Sequence, residues 1–171
     1  DKMVCIKAIE KLDEINSKLK PSSKIVAVGG TALGFVRDED FIQWDEDIDL
    51  FAPLEERLAL FKIFKDLGYS PFYEESSMHS LKCTLKISEK VSIPVAVDFF
   101  DSKLDTFKDT FENYSWEWPT RMFTKCLSLN IHGKPMFVPN PPSEYLSKVY
   151  GNSWNEPNPD FGYSDYAGKI E

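Results

Sequence analysis

Two groups of residues between positions 29 and 49 suit phosphate and metal chemistry. Gly29-Gly30-Thr31 follows the apolar run Ile25 to Val28, and Asp45, Asp47 and Asp49 recur at every second position. A strand that breaks at two glycines turns sharply and lets its backbone approach a ligand closely. The helix predicted next, starting at Thr31 and running over about Ala32 to Arg37, offers N–H groups and the positive end of its dipole to an anion such as a phosphate. In an extended strand the three aspartates share one face, with Glu46, Ile48 and Leu50 on the other. Like charges at roughly 4 Å repel by about 4 kcal/mol at an effective dielectric of about 20, and a divalent cation removes that cost. Oxygen ligands with no histidine or cysteine beside them select a hard ion, Mg²⁺ or Mn²⁺, over zinc. A solvated acidic loop is the plain alternative, and the apolar residues Ile48, Leu50 and Phe51 weigh against it.

A third acid is available at Asp98, the single charge in the run Ile93 to Phe100. A lone carboxylate among apolar neighbours needs a partner, whether a cap, a salt bridge or a metal. With Asp47 and Asp49 it makes the set that two-metal phosphoryl transfer requires. The EF-hand pattern is absent, which excludes a calcium loop of that kind.

The elements that must hold these residues follow from periodicity. Val4 to Leu19 carries Ile6, Ile9, Leu12, Ile15 and Leu19 between charges, an amphipathic helix ended by Pro21-Ser22-Ser23. A loop is predicted over Asp38 to Gln43, then the acidic strand. Pro53 is expected to open a helix to about Leu67 that packs through Leu58, Phe61, Ile63, Phe64 and Leu67 and stops at Gly68. Ser80 to Ser88 alternates, with Leu81, Cys83, Leu85 and Ile87 inward and Lys82, Thr84 and Lys86 on a polar face, read as solvated in preference to one that puts Lys82 or Lys86 towards a phosphate. It is predicted to pair with Ile93 to Phe100 through Glu89-Lys90. Phe107 to Trp118 is aromatic and fits a lid, an acceptor platform or a flap of the core. A hairpin about His132-Gly133 and a helix over Tyr145 to Tyr150 follow. The tail from Asn152 is expected to order by packing its rings on the body. His79 and His132 sit in turn-like contexts and are not nominated as bases.

At 171 residues with 42% hydrophobic content, the chain can fill one core, and a single domain is expected. The start without a methionine suits an excerpt from a longer protein. The net charge of −8 argues against a nucleic-acid partner, although Arg37 and metal ions can neutralise one pyrophosphate locally. Three well-separated cysteines argue for a reducing, cytoplasmic setting and against a disulfide framework. No apolar run is long enough to span a membrane.

The residues Gly30-Thr31-Ala32-Leu33-Gly34-Phe35-Val36-Arg37, then Phe41 to Leu50 with Trp44-Asp45-Glu46-Asp47-Ile48-Asp49, then Val97-Asp98-Phe99, resemble the LicD family. That family includes bacterial phosphocholine transferases and, more distantly, the fukutin-related proteins. Val138-Pro139-Asn140-Pro141-Pro142-Ser143-Glu144-Tyr145-Leu146 and Tyr150-Gly151-Asn152-Ser153-Trp154 are similar to its closing motif. The chain departs from the pattern at Asp40, where a glycine is usual, and at Gln43, where a proline is common. The resemblance implies an α/β (α+β) nucleotidyltransferase-like fold, a mixed β-sheet flanked by helices, with Mg²⁺ held by Asp47, Asp49 and Asp98. It implies transfer of a phospho-alcohol from a CDP-linked donor to the sugar hydroxyl of a glycan acceptor. On that reading Gly29, Gly30 and Thr31 hold donor phosphate, Arg37 steadies the leaving nucleotide, and Asp45 lies on the substrate side. Trp44 stacks on a base or packs under the loop. Two alternatives use the same residues: transfer of NMP from an NTP, and a non-catalytic nucleotide-binding module.

Overall fold

The computed structural model describes residues 1–74 and 77–170. In chain order the elements are α1 (Lys2–Lys18), β1 (Val26–Ala27), α2 (Gly29–Arg37), β2 (Ile48–Pro53), α3 (Arg57–Asp66), β3 (Phe72–Glu74), β4 (Ser77–Lys86), β5 (Ser92–Phe100), β6 (Thr106–Phe111) and β7 (Tyr114–Pro119). They continue with α4 (Arg121–Thr124), β8 (Leu127–Ile131), β9 (Lys134–Val138), α5 (Pro142–Tyr150) and β10 (Lys169–Ile170). A five-stranded sheet in the order β1-β2-β5-β4-β3 is the frame, with a three-stranded sheet β10-β7-β6 and the β8-β9 hairpin beside it. Only the β2–β5 pairing is parallel in the large sheet, so it is mixed and helix-flanked as expected.

Local chemistry explains the frame. The Asp1 carboxylate accepts the Met3 N–H at 2.9 Å and caps α1. Its inward stripe of Ile9, Leu12 and Ile15 is fully buried. The alternating face of β4 is buried as predicted at Leu81, Cys83, Leu85 and Ile87. The β8-β9 hairpin turns through His132 (φ 49°) and Gly133 (φ 82°), two consecutive positive values that suit the twist of the flanking strands. Gly68 (φ 88°) follows α3 as its stop.

Three boundaries and one packing position differ from expectation. The helix α2 begins at Gly29, two residues before Thr31, so the glycine pair forms its first turn and not a loop ahead of it. The acidic strand begins only at Ile48, so Asp45 and Asp47 sit in the segment leading into it, and alternation does not place Asp45. Pro53 is the last residue of β2, paired with Phe100, and a 3-10 turn over Leu54–Glu56 precedes α3. Leu58 then points to solvent, 69% exposed, while Leu60 and Phe64, four apart, take the buried positions.

The aromatic segment is chiefly core. Trp118 is fully buried and Phe107 packs edge-on or stacked against Phe51, Phe100 and Phe123 at centroid separations of 5.9, 5.1 and 5.3 Å. The Trp116 indole N–H donates to the Lys148 carbonyl at 2.8 Å and ties the hairpin to α5. The tail packs its rings as predicted: Phe161 lies 5.1 Å from both Tyr150 and Tyr166. The three cysteines are free, and among the described residues no helix is long and apolar enough to cross a membrane.

Candidate active site

Register across the large sheet builds the site. Asp49 pairs with Ala96 on β5, and Ala96 pairs with Lys82 on β4. Paired residues share a face, so Asp49, Ala96 and Lys82 form one row across three strands, and the small alanine leaves room for the lysine to reach over it. One step along, Phe51, Asp98 and Ser80 form the next row on the same face. The main cavity of this site, roughly 800 Å³, opens over the first row and over Gly30, Asp45 and Asp47, and a larger cavity of roughly 1070 Å³ is also lined by Asp45 and Asp47.

The carboxylates crowd one another. Asp49 is raised to about 7 by burial first, then by the charges of Asp47, Asp45 and Asp98, with Lys82 opposing. Burial, followed by a shared hydrogen bond and repulsion with Asp47, raises Asp45. Lys82 is the one Lys or Arg among the described residues lining this cavity, and it does not balance the four acids there, Asp45, Asp47, Asp49 and Glu74. This donor set fits a hard dication of the Mg²⁺ or Mn²⁺ kind. Among the described residues no three His, Cys, Asp or Glu side chains come together as a ready ligand set.

Three hydrogen bonds brace the start of helix α2, one from α5 and two from Asp49 of β2. The Gly29 N–H donates to the Tyr145 hydroxyl of α5 at 2.8 Å. The Val28 N–H donates to the Asp49 carbonyl at 3.0 Å, and the Asp49 N–H donates to Thr31 Oγ1 at 3.0 Å. A side chain on Gly30 would run into the Asp45 carboxylate, so this glycine is required for the close approach.

The sequence-derived residues divide as follows. Gly30, Trp44, Asp45, Asp47 and Asp49 line the main cavity, and Gly29 lies beside it, 3.7 Å from Asp49 Oδ2 if a Cβ is built on it. Thr31 is buried, and its hydroxyl accepts the Asp49 backbone N–H, which braces α2 against β2. Arg37 pairs with Asp38 at 2.7 and 2.8 Å and lines a second cavity with Trp154 and Pro157, which shares Tyr150, Asn158 and Phe161 with the main one. Asp98 lies in the second row and lines a separate cavity that shares Glu74 and Lys82 with the main one.

Three further residues, Tyr150, Tyr166 and Asp109, escaped the sequence reading, and a fourth, Lys82, was its less favoured alternative. Lys82 was placed on a solvated face, yet that face is the floor of the site. Tyr150 and Tyr166 line the main cavity, and burial first, then neighbouring acids and phenols, raises both hydroxyls, Tyr166 to about 12. They stay protonated at neutral pH and face the cavity as hydrogen-bond donors. Asp109 on β6, raised to about 6 by burial, stands near Asp98. The register of β4 and the closing motif at Tyr150 were the available signals.

A solved structure shares the fold. The crystal structure of the lincosamide antibiotic adenylyltransferase LnuA, lincomycin-bound, superposes with a TM-score of 0.55 at 11% identity, over 93% of this chain and 89% of that one. Cid1 in complex with the UTP analog UMPNPP gives a TM-score of 0.42 at 19% identity over 58% of this chain. This chain spans 31% of that Cid1 chain. No curated protein matches. A family model described as LicD/FKTN/FKRP, nucleotidyltransferase domain, matches residues 24–141. That stretch runs from just before β1 to the edge of α5 and takes in Asp45, Asp47, Asp49 and Asp98, and on this match the chain belongs to the LicD/FKTN/FKRP nucleotidyltransferase-domain family.

Proposed function

We propose that this protein is a metal-dependent transferase that moves a phospho-alcohol, of the phosphocholine, glycerol phosphate or ribitol phosphate type, from a CDP-linked donor to a sugar hydroxyl in surface glycan synthesis. Family membership supports the transferase class. The observation that carries the finer reading is the crowding of Asp45, Asp47 and Asp49 beneath a cavity walled by aromatic rings, with Lys82 across the floor. A divalent cation held by Asp47 and Asp49 would supply charge neutralisation at the pyrophosphate.

The chain's own residues do the remainder. The start of α2 presents backbone N–H groups to donor phosphate, and Lys82 adds a positive charge on the opposite side. Trp44, 46% exposed at the cavity lip, offers a face for the cytosine ring. The acceptor oxygen attacks the phosphorus that bears the alcohol, forming a new P–O bond. The bond from that phosphorus to the bridging oxygen breaks, and its electron pair leaves on CMP. Asp98 takes the acceptor's proton. Positioning and electrostatic stabilisation supply most of the rate. A cytoplasmic setting is consistent with the free cysteines.

Melting curves with CDP-choline, CDP-glycerol, CDP-ribitol, CTP, ATP and CMP, each with and without Mg²⁺, test the reading. A ligand at about 100 times its Kd adds about 2.7 kcal/mol and raises Tm by several degrees. A metal-dependent shift with one CDP-alcohol is expected. Stabilisation by CTP or ATP alone would turn the assignment to NMP transfer, and full turnover in Asp47→Asn or Asp49→Asn would overturn the metal site.

A further inference from the structure

Two tyrosines of α5 converge on the first residue of α2. Tyr145 is buried, and its hydroxyl accepts the Gly29 N–H at 2.8 Å. Tyr150, the last residue of the helix, brings its hydroxyl to the same glycine: a Cβ built on Gly29 would lie 3.9 Å from Tyr150 Oη and 3.7 Å from Asp49 Oδ2. The space beside Gly29 is thus bounded by a phenol, by a carboxylate of the proposed metal pair and by the first turn of α2. The Gly30 and Thr31 N–H groups of that turn have no partner within the helix. The Tyr150 ring is held 5.1 Å from Phe161 and 5.9 Å from Tyr166, and it lines the main cavity. Its hydroxyl forms no hydrogen bond among the described residues.

The topology sets this hydroxyl across from the proposed proton acceptor. Strands β1 and β5 flank β2 on its two sides. The Val28 N–H bonds to the Asp49 carbonyl, so Gly29 and the Tyr150 hydroxyl stand on the β1 side of Asp49, whereas Asp98 stands on β5. In-line displacement at phosphorus puts the attacking and leaving oxygens on opposite sides. With the acceptor on the Asp98 side, the leaving phosphate falls on the Tyr150 side. Resting on the transfer reading above, we propose that Tyr150 is a catalytic residue whose hydroxyl donates a hydrogen bond to an oxygen of the leaving nucleotide's phosphate, beside Gly29.

That phosphate gains negative charge as the bond to the bridging oxygen breaks. The hydrogen bond therefore strengthens towards the transition state and persists in bound CMP. A phenol keeps its proton at neutral pH, so Tyr150 donates throughout and transfers no proton. Tyr145 has a different part. Its hydroxyl is committed to the Gly29 N–H and it does not line the main cavity, so it positions the turn without touching the ligand.

The test compares the whole chain with Tyr150→Phe, which keeps the ring, and with Tyr150→Leu as a second variant, the fold of each being checked by melting. Titration calorimetry in Mg²⁺ measures binding of CMP, CDP-choline, CDP-glycerol and CDP-ribitol. The expected result is CMP bound about tenfold more weakly by both variants, the worth of a hydrogen bond to a charged group. The Kd of the preferred CDP-alcohol should change by less than about threefold, because its phosphate has not yet gained that charge. Unchanged CMP affinity in Tyr150→Phe, or an equal loss for CMP and the CDP-alcohol, would overturn the role. CMP affinity that depends on the hydroxyl, in a protein that binds no CDP-alcohol, would support the phosphate contact and sink the donor assignment. A CDP-alcohol bound with Mg²⁺, together with CMP affinity indifferent to the hydroxyl, would sink Tyr150 and leave the transfer reading standing.

Discussion

Thr31 Oγ1 accepts the backbone N–H of Asp49 at 3.0 Å, across 18 positions of sequence. With the Val28 N–H bonded to the Asp49 carbonyl, both backbone groups of the acidic residue are held by the start of α2. The helix that offers its N–H groups and the strand that offers its carboxylate are thus one mechanical unit.

Thr31→Val removes the acceptor with little change of shape and leaves a backbone N–H without its partner. The expected loss is about 1–3 kcal/mol in urea melts. Turnover should fall on the order of 10-fold through misplacement of Asp49, although Thr31 itself does not line the cavity. Thr31→Ser should retain most of both.

Gly34→Ala tests the seat of the loop that carries Trp44 and Asp45. A Cβ there would lie 2.5 Å from the Asp40 carbonyl oxygen and 2.9 Å from the Ile42 nitrogen, both backbone atoms that cannot rotate aside. A destabilisation of about 1–3 kcal/mol is expected, with weakened donor binding. Gly30→Ala should cost less stability, because the Asp45 carboxylate can swing away, and more activity. Calorimetry and donor titration separate the two.

Stability without metal should fall as pH rises from about 4 to about 7. Asp49 in the fold sits at about 7 against an ordinary value of 3.8. A carboxyl raised on folding binds its proton more tightly in the native state, so its contribution is whole below about pH 4 and is lost through about pH 7. Asp49→Asn should match the parent at pH 4 in urea denaturation and exceed it at pH 8, by on the order of 2 kcal/mol. An equal gap at both pH values would show that the mutation acts through packing and not through charge.

Lys82→Met should weaken donor binding by about 1.5–3 kcal/mol, the worth of a hydrogen bond to a charged group, or roughly 10- to 100-fold in Kd. Lys82→Arg should recover part of it. Unchanged donor affinity in Lys82→Met would remove the residue from the site.

The local signals were legible for physical reasons that act within a few residues. The glycine pair, the two-residue period of β4 and the 3.6-residue stripe of α1 all report nearest-neighbour geometry, and each element formed close to where its pattern lies. Asp45 shows the limit of such patterns. It was placed by strand alternation, yet it precedes the strand and reaches the other acids because Gly30 leaves a gap for its carboxylate. Lys82 shows another: a polar face reads as solvated whether it meets water or a cavity, and only the pairing Lys82–Ala96–Asp49 distinguishes them.

By itself the sequence determined the kinds of element, the acidic motif with its preceding glycines, and the family they resemble, because spacing and side-chain type are properties of the chain as written. Tertiary structure alone decided which residues share the site. It paired Arg37 with Asp38, bonded Thr31 to the backbone of Asp49, brought Lys82, Tyr150 and Tyr166 to the carboxylates, and gave Asp98 a cavity with Asp109. Those outcomes depend on strand register and on contacts between distant segments, which are set by closure of the whole core and carry no mark in local spacing.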